Sequence, residues 1–257
     1  MHLAPRPPAG TSVVAERFPI FITVRDRVTP LRDLIDWLER SGQDEIWLVD
    51  NASTYPPLLE YLDASPHQVL RLEHNLGHRA PWLCGAIQRN ARGRFFVVSD
   101  PDVVPDEACP LNALQVFRRL FKRHQVDKVG FGLRIDDLPN HFPLREDVQQ
   151  WEGRFWREEV EPGVFHAEID TTFAMYRPPT RDAGERALRT GTPYVARHTP
   201  WYVDPAALTD EDRYYREHAD PTISNWDREE LPAWKRRWLN NFAELDRLAA
   251  TEAGGHQ

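Results

Sequence analysis

The chain has 257 residues, of which 41% are hydrophobic and 28% charged, and its formal net charge is -8. This is the composition of a soluble globular protein, long enough for one large domain or two small ones. It excludes a generic nucleic-acid binder, which wants a basic face, and a membrane-spanning chain, which needs about 18–20 consecutive apolar residues.

The two cysteines, Cys84 and Cys109, are too few for a disulfide framework, so a reducing cytoplasm is the expected setting. Residues 1–16 are Pro-rich, lack the apolar core of a signal peptide and are expected to form a loose arm. Residues 249–257 are expected to fray. Between them, 17–248 is expected to be a single domain, with 17–107 as one half and 108–248 as the other.

Residues 18–24, FPIFITV, form an apolar run suited to a buried strand. Thr29-Pro30 then predicts a helix start with Thr29 at the cap; Leu31, Leu34, Ile35 and Leu38 keep helical spacing and Gly42 follows the end. EIWLVD (45–50) is a second strand ending in Asp50. A short helix carrying Leu58, Leu59 and Leu62 leads to a third strand, QVLRLE (68–73). The polar loop HNLGHRAP precedes a helix over 81–91, and RFFVVS (94–99) is a fourth strand. Strand–helix alternation predicts a mostly parallel α/β sheet flanked by helices. Further on, 111–124 reads as a basic-faced helix, 128–133 as a strand, RIDDLPNHF as an acidic loop, 165–177 as one or two strands and 197–204 as an aromatic loop. The stretch 231–245 reads as a helix with Leu231, Trp234, Trp238, Phe242 and Leu245 on one side.

In open α/β sheets ligands sit beyond the carboxyl ends of the strands. Polar clusters fall at four successive ends: Arg25-Asp26, Asp50-Asn51, Asn75 to Arg79 and Asp100 to Asp102. Asp100-Pro101-Asp102 closes an apolar strand, where two carboxylates can grip a hard divalent cation, Mg²⁺ or Mn²⁺. The alternative is an ordinary acidic turn. Asp210-Glu211-Asp212, by contrast, follows Thr209 and reads as the acidic first turn of a capped helix.

The ordered set FPIFITVRDRVTP, EIWLVDNAST, LEHNLGHRAP and RFFVVSDPDVVP, over residues 18–107, resembles the GT-A fold glycosyltransferases, especially the family 2-like group. The resemblance implies a GT-A type fold, a nucleotide-sugar donor (UDP as default), a divalent metal, and a glycan, lipid-linked or small-molecule acceptor. It places Asp50 at the base or ribose, with Asn51 and Ser53 in the same turn. Thr23 and Arg25 lie near the nucleotide. Asn75 and Gly77 form a tight loop, and Arg79 approaches the diphosphate or base. Asp100 and Pro101 lie beside the nucleotide-sugar, and Asp100, Asp102 and a downstream His198 form the metal site. Trp201, Tyr202 and Asp136 are expected at the acceptor.

Inverting transfer needs a carboxylate base, and no clear match to the family's pattern for it is present. Asp170 is the first choice and Asp137 the second; a retaining reaction remains open. Two rival readings are a sugar-nucleotide nucleotidyltransferase, which the lack of a glycine-rich loop after the first strand disfavours, and a non-catalytic nucleotide-sugar-binding module. The tryptophan-bearing helix at 231–245 either closes the domain or lies at the inner face of a membrane with Lys235, Arg236 and Arg237 toward lipid phosphates. The Trp151, Phe155 and Trp156 cluster lines an acceptor cleft or packs a core.

Overall fold

The computed structural model describes residues 16–170, 172–178, 186–219, 230–231, 233–241 and 244. Strand β1 (Ile20–Val24) is buried along its whole length, and helix α1 (Thr29–Arg40) buries Leu31, Leu34, Ile35 and Leu38 as their spacing predicts. Strand β2 (Ile46–Asp50), helix α2 (Pro56–Ala64) and strand β3 (Gln68–Arg71) follow. The helix expected over 81–91 is two short ones, α3 (Ala80–Leu83) and α4 (Ala86–Asn90). Gly85 lies between them at φ +75, a left-handed conformation that breaks a helix and suits glycine.

Strands β4 (Phe96–Ser99) and β5 (Val103–Pro105) flank the Asp-x-Asp turn; helix α5 (Ala113–Arg123) and strand β6 (Lys128–Leu133) follow. Helix α6 (Arg145–Gly153), strands β7 (Glu159–Glu161), β8 (Val164–His166), β9 (Ala174–Tyr176) and β10 (Ala187–His198), and helix α7 (Asp210–His218) complete the labelled elements.

The ten strands form one sheet in the order β3-β2-β1-β4-β9-β6-β10-β8-β7, with β5 also paired to β10. From the pairings, β1, β2, β3, β4, β6, β7 and β10 run one way and β5, β8 and β9 the other, so the sheet is mostly parallel as expected. Alternation gives it two apolar faces. Ile20, Ile22 and Val24 pack with α1, α2 and α5, whereas Phe21, Val49 and Val98 pack with α3 and α4. Strand β9 is inserted tightly between β4 and β6: a Cβ on Gly130 would overlap the Phe173 carbonyl oxygen.

Two expectations need correction. Thr29 does not cap α1: the cap position is Val28, without a side-chain cap bond from within the helix. Along the helix of residues 233–241 the buried residues are Lys235 and Leu239, joined by Leu231 just before it, while Trp234 is 63% exposed. The buried stripe is therefore offset from the expected one, and Lys235 does not face outward. Trp238 lies tilted against Trp151 with ring centroids 4.0 Å apart, Arg154 covers the Trp151 ring at 3.2 Å, and Trp156 packs on Phe165. These aromatics pack the structure together. The expected arm before residue 16, the tail, Phe242 and Leu245 lie outside the described residues. Among the described residues no helix is long and apolar enough to cross a membrane.

Candidate functional site

Six strands of common direction (β1, β2, β3, β4, β6 and β10) end on one edge of the sheet. The segments that follow them carry nearly all the residues singled out from the sequence.

After β1 and β2 the chain forms a braced cradle. Asp26 is buried at φ +49, and its carboxylate accepts the N–H groups of Thr54 (2.6 Å) and Tyr55 (2.8 Å). Arg25 donates to the Asn51 carbonyl at 2.9 Å. Asp50 is 3% exposed and its Oδ1 accepts the Ser53 N–H at 3.0 Å, which fixes the turn. Ser53 Oγ in turn accepts from the Asp26 N–H at 3.4 Å. Asn51 ties this turn to the next loop: its Nδ2 donates to Asn75 Oδ1 (2.6 Å) and the Gly77 carbonyl (3.1 Å), and its Oδ1 accepts the Leu76 N–H (2.7 Å). Asn75 Oδ1 also accepts the Gly77 N–H at 2.9 Å, with Gly77 at φ +72. Asn51, Asn75 and Gly77 thus shape the loop; Arg79 is exposed at the end of the 3-10 turn Gly77–Arg79. Thr23 Oγ1, on the α3–α4 side of β1, is buried without a hydrogen-bond partner among the described residues. Such an atom costs about 1–3 kcal/mol unless a ligand or water satisfies it.

The Asp-x-Asp turn meets the end of β10. Strand β5 pairs with β10 so that Val103 faces His198, and the Thr199 N–H donates to the Asp102 carbonyl at 2.9 Å. This brings His198 Nε2 to 3.9 Å from Asp102 Oδ1. On the other side, Arg27 Nε lies 3.6 Å from Asp102 Oδ2. Asp100 is half-buried beside them, its carbonyl accepting from Ser99 Oγ, and Pro101 is buried.

The other downstream candidates have structural work. Asp137 Oδ1 accepts from the Tyr202 hydroxyl at 2.6 Å, and its Oδ2 accepts from Arg197 at 2.6 Å. Both oxygens of Asp137, the second choice for the base, are thus engaged in hydrogen bonds. Burial and the bond to Asp137 push the Tyr202 hydroxyl pKa up, so Tyr202 is a neutral donor held in place. Trp201, expected at the acceptor, is 2% exposed and packs against the His198 imidazole with ring centroids 4.8 Å apart. Asp106, missed in the sequence, is buried between Arg134 (3.0 Å) and Arg197 (3.1 Å). Burial alone would raise its pKa, but the Ala108 N–H and the two guanidinium groups prevail and hold it below the ordinary carboxylate range. Asp136 is exposed and accepts from Arg134 at 2.9 Å. Asp170 is exposed on the segment leading into β9, outside all these contacts.

Helix α7 lies across the same edge. Thr209 and Asp212 form its capping box, as the sequence suggested. Glu211 does more: buried, it accepts the N–H groups of Val28 (3.1 Å) and Thr29 (3.1 Å) and caps α1. Tyr214 donates to Thr54 Oγ1 at 3.0 Å, and Tyr215 lies under the Arg27 guanidinium at 3.8 Å. Arg27 and Glu211 escaped the sequence reading; an acid without a helical partner near the expected α7 was no signal, because an acidic first turn already explained it.

No protein-family model matches the chain, and no curated protein matches it. Among solved structures, a mannosyltransferase from Pyrobaculum calidifontis in complex with GDP-Man and Mn²⁺ aligns at 14% identity over 77% of this chain and 60% of its own, with a TM-score of 0.43. A UDP-glucose pyrophosphorylase complexed with UDP-glucose aligns at 11% identity over 67% and 73%, with a TM-score of 0.35. A 4-diphosphocytidyl-2C-methyl-D-erythritol synthase from Anaerococcus prevotii aligns at 9% identity over 91% and 100%, with a TM-score of 0.33. The chain spans 60% of the mannosyltransferase's length. All three likenesses are too distant to assign a family.

Proposed function

We propose that the chain is a metal-dependent glycosyltransferase that moves a sugar from a nucleoside-diphosphate donor, UDP-linked by default, to an acceptor hydroxyl. The observation that carries this reading is the approach of His198 Nε2 to Asp102 Oδ1, at 3.9 Å, on the edge where the braced loops after β1, β2 and β3 also open.

Asp102 and His198 suit a cation that accepts both carboxylate oxygen and imidazole nitrogen, as Mn²⁺ does. Among the described residues no group of three His, Cys, Asp or Glu side chains stands close enough to hold a metal alone. That fits an ion held by one or two protein groups and completed by phosphate oxygens and water, with Asp100 near by. Such an ion would stabilise the negative charge that develops on the departing diphosphate. The chain's own groups do the rest. The loops braced by Asp26, Asp50, Asn51 and Asn75 would hold the base and ribose in a fixed position. Trp201 and the Asp106–Arg197–Asp137 network fix the end of β10, and therefore His198. Asp170, exposed and unencumbered by those pairs, is our choice for the base that takes the acceptor proton.

The test is incubation with UDP-, GDP- and dTDP-sugars and Mn²⁺. Release of a nucleoside diphosphate supports glycosyl transfer. Formation of a nucleoside triphosphate on adding pyrophosphate identifies a nucleotidyltransferase instead, and nucleotide binding without either product identifies a binding module.

A further inference from the structure

Arg27 is 4% exposed, deeply buried for a charged side chain. Its guanidinium lies between two carboxylates from distant parts of the chain: Nε is 3.6 Å from Asp102 Oδ2, and Nη1 is 4.0 Å from Asp212 Oδ1. Tyr215, one turn along α7 from Glu211, lies against its flat face. Arg27 is therefore held by α7 and aimed at Asp102. The Asp102 carboxylate has two differently occupied sides, with Oδ1 toward His198 and Oδ2 toward Arg27.

We propose that Arg27 is a positioning residue that makes cation binding at Asp102 conditional on the nucleotide. The inference rests on the glycosyltransferase reading of the site. A divalent cation between Asp102 and His198 would face the fixed positive charge of Arg27 across one carboxylate. At separations of this order in a partly buried site, such repulsion is large compared with thermal energy. A diphosphate reverses the balance, because its oxygens attract both the cation and the guanidinium. Metal and nucleotide then bind with positive coupling, which by linkage is reciprocal. Asp212 tempers the device: its charge partly neutralises Arg27 and anchors it to α7.

Calorimetry tests this with two probes, Mn²⁺ alone and, in the presence of Mn²⁺, whichever of UDP, GDP, dTDP and CDP the wild type binds. Arg27→Gln should tighten Mn²⁺ alone about tenfold and weaken the nucleotide about tenfold, the scale expected for one removed charge a few ångströms away. Asp212→Asn should shift both affinities in the opposite directions, about threefold, because it leaves Arg27 less compensated. A structural role alone would make both variants lose affinity for both probes, and that result overturns the proposal. So does an unchanged pair of affinities in both variants while Asp102→Ala abolishes binding. If Arg27→Gln fails to fold, the sign of the Asp212→Asn shifts decides. If the wild type binds no nucleotide, or Asp102→Ala leaves binding intact, the glycosyltransferase reading falls first and this inference with it.

Discussion

Glu211 caps a helix that begins 182 residues earlier in the chain: its carboxylate accepts the Thr29 N–H at 3.1 Å and the Thr29 hydroxyl at 3.1 Å. A helix start carries free N–H groups and a partial positive charge, and a buried carboxylate satisfies both. The bond fastens α7 over the strand ends, beside Arg27 and the Asp102 turn.

Replacing Glu211 by Ala should therefore cost about 1–2 kcal/mol of stability, the range of a lost helix cap. Urea denaturation measures it. Because the same change loosens α7, nucleotide affinity should fall as well, whereas Glu217→Ala, at an exposed position near the end of α7, should leave both within experimental error.

The Asp106 network predicts acid sensitivity. The folded-state pKa of Asp106 is depressed, so its contribution is present above the unfolded carboxylate value of about 4 and is lost as pH falls through the folded value. Arg134 and Arg197 are the charges facing it. Asp106→Asn should lower stability at pH 7 by about 2 kcal/mol and flatten its decline between about pH 5 and pH 2. Thermal unfolding across that range checks the slope.

The two cysteines should differ sharply. Cys109 is buried and its thiol pKa is pushed up to about 12 by burial, then by the charge of Asp106. Cys84 is partly exposed. A thiol reagent at pH 8 should modify Cys84 in the native protein and reach Cys109 only on unfolding. Mass spectrometry of labelled peptides reads the order.

Asp170 and Asp137 should separate by kinetics. Loss of a general base costs about 10²–10⁴ in rate with little effect on donor binding, so Asp170→Asn should lower kcat and spare nucleotide affinity. Asp137→Asn should instead destabilise the fold, because it breaks the bonds from Tyr202 and Arg197.

The first half of this fold was legible because its signals are local. Apolar runs such as IFITV and the spacing of Leu31, Leu34, Ile35 and Leu38 report directly on strand and helix. The polar strand ends also came through, since a parallel sheet gathers them on one edge. Strand β10 was missed because Gly191 and Pro193 interrupt ALRTGTPYVARH where its pairing with β6 shifts between Thr190 and Val195. The pairing of this strand with β5 is what brings His198 to Asp102. Arg27 and Glu211 were illegible for a different reason: each makes contacts between the start of α1 and α7, more than 180 residues apart in the chain, and no local pattern encodes a contact of that span.

The central claim is that Asp102 and His198 share a divalent cation at a diphosphate site. The most direct measurement is a crystal grown with Mn²⁺ and the nucleoside diphosphate that binds best, with anomalous data collected at the manganese edge. The account predicts one peak within coordination distance of both Asp102 Oδ1 and His198 Nε2, in contact with the phosphate oxygens. Bound nucleotide with no peak there, or a peak elsewhere on the molecule, would contradict it.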